Sequence, residues 1–235
     1  MTPPSSAGAP NATSLLKHPA VPWVLPFAVF MLLLALQDVA PVPQRIEFVL
    51  RILILGAVLW IFSRRVIDLG VSRPLGTAAV GVGVFLLWIA PDMLFPGYRQ
   101  HWLFHNSVVG AIHTSLRTGS VDDPLTLALR SMRAILIVPI VEELFWRGWL
   151  MRYIARSDFE SLPLGTYSRS AFWIVALLFA AEHGPYWDVG LAAGIVYNWW
   201  MCKTRRLGDL IWAHAITNAA LCAWVLITHQ WEYWL

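Results

Sequence analysis

Residues 124–154 read PLTLALRSMRAILIVPIVEELFWRGWLMRYI, and this stretch decides what kind of protein the chain is. Crossing the roughly 30 Å of a bilayer's hydrocarbon takes about 20 mostly apolar residues in a helix, and the run exceeds that length. Its interior nevertheless holds Glu142, Glu143 and Arg147. An ionisable group within a span costs about 3 kcal/mol, so it faces a cavity or a partner and marks a function by default. The stretch therefore predicts a membrane helix that carries chemistry.

The rest of the chain agrees. Six further apolar segments run from Val21 to Val39, Ile46 to Phe62, Thr77 to Phe95, Ser170 to His183, Asp188 to Met201 and Leu207 to Thr228. Of 235 residues, 58% are hydrophobic and 13% charged, with a mean hydropathy of +0.60, where a soluble domain carries about 25% charged residues. A soluble single-core globule of this length cannot bury that much apolar surface. The expected fold is all-α, a polytopic transmembrane helical bundle of seven to eight spans. The eighth would be the aromatic, His-bearing stretch Tyr98 to Thr118, either re-entrant or an amphipathic helix lying in the interface. Residues 1–20, rich in Pro, Ser, Ala and Thr, read as a retained disordered tail rather than a signal peptide. Residues 21–235 read as one transmembrane domain, with the chemistry-bearing helices in 124–228. The fourteen Trp suit rings that settle at headgroup level. Cys202 and Cys222, both in apolar context, supply neither a disulfide framework nor a Cys metal site.

The net charge of +3 predicts orientation rather than nucleic-acid binding, because the basic residues sit in short loops. With the amino terminus inside, Lys17, Arg64, Arg65, Arg73, Arg152, Arg156, Arg169, Lys203, Arg205 and Arg206 fall on one side, ten of the seventeen. The opposite loops hold Arg45, Arg99 and Arg117. That excess puts the amino terminus in the cytoplasm and makes the lipid bilayer the first partner.

Three polar clusters stand out in the later segments. In the first, Glu143 and Arg147 lie one turn apart on one side of the helix, while Glu142 points about 100° away. Glu143 is thus neutralised locally, and Glu142 must find its partner on another helix or in trapped water. A desolvated carboxylate near a cation is how a general base is tuned. Pro139, one turn earlier, removes a helix hydrogen bond and predicts a kink or water pocket. In the second, Phe179-Ala-Ala-Glu182-His183-Gly184-Pro185 ends a segment too short to span, so His183 sits at a helix end inside the protein, where broken backbone lines a cavity. In the third, His214-Ala-Ile-Thr217-Asn218 aims an imidazole and a carboxamide from one helix face. At 1.5 Å per residue, Glu142, His183, His214 and Asn218 all fall roughly 10 to 20 Å below the inner surface.

Simpler roles compete for each cluster. A single buried His or Asn is commonly helix-packing glue, and Glu-Glu-xxx-Arg can be an internal brace. Glu47 and Arg51 form an i,i+4 pair that neutralises itself. His101, His105 and His113 suit an aromatic outer face, Asp92 a cap or span end, and Glu182 either an orienter of His183 or an outer vestibule. No His-Glu-xx-His run for a zinc metalloprotease occurs. Asp209 and Asp188 match an intramembrane aspartyl protease poorly, and a rhomboid-like Gly-x-Ser-Gly is missing. A His-Glu-His zinc site remains open on spacing alone.

The ordered trio Glu142-Glu143-Leu-Phe-Trp-Arg147, Phe179-Ala-Ala-Glu-His183 and His214-Ala-Ile-Thr-Asn218 resembles the three motifs of the CAAX protease and bacteriocin-processing family, the Abi or Ras-converting-enzyme type. Gly194-Ile-Val-Tyr197-Asn198 is also in keeping, the resemblance covers about residues 124–225, and it leans to the subgroup that accompanies bacterial exosortase systems. It implies an integral protein of the bacterial inner membrane, a glutamate-dependent intramembrane endopeptidase acting on a membrane-associated peptide or protein, with no cofactor and no metal. On that model Glu142, with His183, activates a water that attacks the scissile carbonyl. His214 and Asn218 donate to the oxyanion, and Glu143 and Arg147 hold the site. Two other classes stay open: a noncatalytic scaffold or immunity protein, which would tolerate Glu142→Gln, and a proton-coupled carrier, which would respond to a pH gradient in proteoliposomes.

Overall fold

The computed structural model describes residues 16–37 and 42–234. The first fifteen residues of the expected tail lie outside them, and residues 16–20 form turns leading into the first helix. Every extended regular element among the described residues is helical. The helices are α1 (Val21–Ala35), α2 (Gln44–Ser63), α3 (Pro74–Leu94), α4 (Pro124–Ala155), α5 (Arg169–Glu182), α6 (Trp187–Thr204) and α7 (Leu207–Thr228). Of these, α2, α3, α4 and α7 are long and apolar enough to cross a membrane. The chain is an integral membrane protein, and by length and composition four helices among the described residues are candidate spans, against the seven to eight expected. The helix α1 has 15 residues and α5 has 14, both short of a full crossing.

The central rod is α4. Asp123 caps its start by accepting from Leu125 N at 3.1 Å, and Pro124 takes the first position, where a missing N–H costs nothing. The rod is not a uniform α-helix: π turns occupy Arg133–Ile137 and Leu144–Leu150. The first lies immediately before the Pro139 segment, which is where the sequence predicts an irregularity. Insertions of this kind widen the helix by one residue and gather at functional sites.

Two devices lock the neighbouring helices. Asp209, on α7, is fully buried and accepts from Ser72 N at 3.0 Å, Ser72 Oγ at 2.6 Å, Arg73 N at 2.9 Å and Thr77 Oγ1 at 2.8 Å. One carboxylate thus caps the open N–H groups at the start of α3 from a different helix. Further along the same pair, a Cβ on Gly81 would sit 2.6 Å from the Ala213 carbonyl oxygen and 2.8 Å from Ile216 Cβ. Glycine alone lets α3 and α7 approach this closely, the small-residue logic of membrane helix packing. The approach brings the Gly81 carbonyl within 2.8 Å of Thr217 Oγ1.

The Tyr98 to Thr118 stretch corrects the expectation of an amphipathic interfacial helix. It holds two single 3₁₀ turns, Tyr98–Gln100 and Trp102–Phe104, and otherwise irregular backbone. Polar anchoring replaces helical periodicity. Arg99 Nη1 donates to Asp188 at 2.5 Å and to the Pro185 carbonyl at 2.9 Å, and Arg99 Nε donates to Asp92 at 3.1 Å. Tyr98 and Tyr233 hydroxyls donate to Asp188 and Asp92 at 3.1 and 3.0 Å. Burial works against the charge on Arg99, but Asp188 and Asp92 more than offset it and hold its pKa above the ordinary value. Arg99 is therefore the hub of a strap that ties this stretch to the end of α3 and to the turn between α5 and α6. His101 and His105 sit on that irregular backbone rather than on one helix face.

Candidate active site

Glu142 and Glu143 are adjacent in α4 and meet opposite surroundings. Glu143 is fully buried and takes Arg147 Nη1 on both carboxylate oxygens at 3.0 Å. Arg147, also fully enclosed, donates from Nε to Asn198 Oδ1 at 2.8 Å, and Asn198 Nδ2 donates to the Phe172 carbonyl at 2.8 Å. The guanidinium lies 4.4 Å above the Phe179 ring. This network bolts α4 to α5 and α6, and its buried cation is compensated on every side but one nitrogen, Nη2. Glu142 is 6% exposed, and its Oε2 has no hydrogen-bond partner among the described residues.

Glu142 faces a cavity of about 190 Å³ whose lining also includes His183, His214 and Asn218. The four residues from three separate sequence clusters share one space. Glu143 and Arg147 stand behind its wall. His183 closes α5 and is followed by Gly184, whose φ of +50° turns the chain into the 3₁₀ turn Gly184–Tyr186. Its Nδ1 lies 2.7 Å from the Phe179 carbonyl, an oxygen that can only accept, so the proton is on Nδ1 and Nε2 is the acceptor. The Trp88 and Phe179 rings, at 5.1 and 4.7 Å, hold the imidazole in place. Glu182 turns the other way and accepts from Trp146 Nε1 at 3.2 Å, so it does not orient His183.

On α7, His214 Nδ1 meets Glu143 Oε1 at 2.8 Å, and Asn218 Nδ2 donates to the Ala134 carbonyl at 2.8 Å. The carboxylate at Nδ1 again accepts, which leaves Nε2 of His214 as the ring nitrogen for the cavity. For that nitrogen to donate, the ring must carry both protons.

Further residues complete the wall. Tyr197 donates to Thr217 Oγ1 at 2.7 Å, and both line the cavity beside Trp88, Val138, Leu221 and Arg130. Arg130 was not legible from helix geometry. Twelve residues at about 100° each set it about 120° from Glu142, but the π turn between them absorbs one residue and reduces the difference to about 20°. Asn198 had a signal, an amide in a stretch of small and aromatic residues, without an indication of its partner. For metal, no three His, Cys, Asp or Glu side chains among the described residues converge into a group able to hold an ion.

Against known proteins, residues 124–220 match the family model described as Rce1-like, type II CAAX prenyl endopeptidase. No curated protein and no solved structure matches the chain.

Proposed function

We propose that this member of the Rce1-like family of type II CAAX prenyl endopeptidases, which are peptide hydrolases, cleaves its substrate by direct attack of a water held between Glu142 and His183. The observation that carries the proposal is the shared cavity, whose lining includes Glu142, with Oε2 unpartnered among the described residues, and His183, with Nε2 left as an acceptor. A water that donates one hydrogen to each acceptor turns a lone pair outward. Attack on the scissile carbonyl passes its proton to Glu142, which returns it to the leaving amine. His214 Nε2 and the free Asn218 N–H stabilise the oxyanion, worth about 3 kcal/mol per donor in sites of this kind. Glu143, Arg147 and Asn198 hold α4, α5 and α6 in register.

The substrate is a membrane-associated peptide or protein whose apolar side chains pack against Trp88, Phe179 and Leu221. The distribution of Lys and Arg supports a cytoplasmic amino terminus and a cavity reached from the inner leaflet, and the motif resemblance is the ground for a home in the bacterial inner membrane. The test is cleavage, in proteoliposomes, of a membrane-tethered peptide with hydroxylamine present. Direct attack by water gives the free carboxylate alone and persists in strong chelator. A hydroxamate product would reveal an acyl-enzyme and overturn the mechanism, and loss of activity in chelator would do the same in favour of a metal.

A further inference from the structure

We infer that Pro139 is a positioning residue for Asn218, acting through the carbonyl of Ala134. In the π turn Arg133–Ile137, the Val138 N–H bonds to the Arg133 carbonyl, five residues back rather than four. In the same register the Ala134 carbonyl would take the N–H of residue 139, and proline has none. Its α-helical partner, Val138 N–H, is already spent on Arg133. The Ala134 oxygen is thus released within a membrane helix, where an unsatisfied carbonyl is costly. Asn218 Nδ2 satisfies it at 2.8 Å.

That bond does two things at once. It sets which end of the carboxamide is which, because a carbonyl accepts only from the nitrogen end. It also uses one Nδ2 hydrogen and leaves the second for the cavity that Asn218 lines. Any other residue at 139 brings back an N–H that competes for the released carbonyl and frees the amide to rotate. The same proline stands three residues before Glu142, so one feature of α4 serves both the carboxylate and the amide opposite it. The inference rests on the peptidase reading above and deepens it.

The experiment is a double-mutant cycle on the full chain in proteoliposomes, using an internally quenched peptide with a farnesylated Cys followed by three apolar residues. Asn218→Ala is expected to lower kcat about 100-fold and Pro139→Ala about tenfold, with KM unchanged, and the double variant to equal Asn218→Ala alone. Pro139→Ala should melt no lower than wild type, since alanine restores a helix N–H. A purely structural role would instead multiply the two losses. The inference is overturned by that multiplication, by wild-type turnover in Pro139→Ala, or by failure of Pro139→Ala to fold. Wild-type cleavage by Glu142→Gln would overturn the peptidase reading itself, and this inference with it.

Discussion

Adjacent carboxylates in α4 should respond in opposite ways to the same substitution. Glu143→Gln removes a charge that meets Arg147 at 3.0 Å and His214 at 2.8 Å. Both Glu143 and Arg147 are fully buried, so no solvent replaces the lost contact. Leaving one member of a buried pair uncompensated costs about 3–5 kcal/mol. For a chain of this size that is a fall in Tm on the order of 10 °C. Glu142→Gln keeps the side chain's shape and deletes a buried charge whose Oε2 has no partner among the described residues, so it should not lower the melting temperature. Thermal unfolding in detergent, followed by Trp fluorescence, measures both. Superimposable melting curves for the two Gln variants would refute the assignment of one glutamate to the scaffold and the other to the cavity.

Three further outcomes are expected. Asp209→Ala strips the Ser72, Arg73 and Thr77 donors of their acceptor and should cost about 2–3 kcal/mol, read as a lower melting temperature. Gly81→Ala drives a methyl group into the Ala213 carbonyl and Ile216, costing about 1–3 kcal/mol. Because the same backbone holds Thr217 at the cavity, peptide turnover should fall as well, whereas Gly83→Ala, where a Cβ meets nothing within 4 Å, should change neither measurement. Tyr197→Phe deletes the bond to Thr217 Oγ1 and should cost about 1 kcal/mol in melting while the tethered peptide is still cleaved.

The sequence made the membrane class and the three motifs legible because both depend on composition and short-range spacing. The pairing of Glu143 with Arg147 followed from the i,i+4 rule, and the early end of α5 at His183 from Gly184 and Pro185. Other features failed where that geometry stopped applying. Ideal helical angles put Arg130 away from Glu142, and the π turn brought it back. Tyr98 to Thr118 looked amphipathic, but Arg99, Asp92 and Asp188 organise it through contacts between residues distant in the chain. Asp209 matched no catalytic motif for a plain reason: its four bonds go to the start of α3, a partner that its own helix gives no means to foresee. Asn198 likewise shows its role only beside Arg147.

The central claim is that the Glu142 carboxylate takes the proton from the attacking water. Its most direct test compares purified wild type with Glu142→Gln of matched melting temperature on a panel of membrane-tethered peptides, products identified by mass. Wild type should release defined fragments and the variant none. Identical fragments from both proteins would contradict the account.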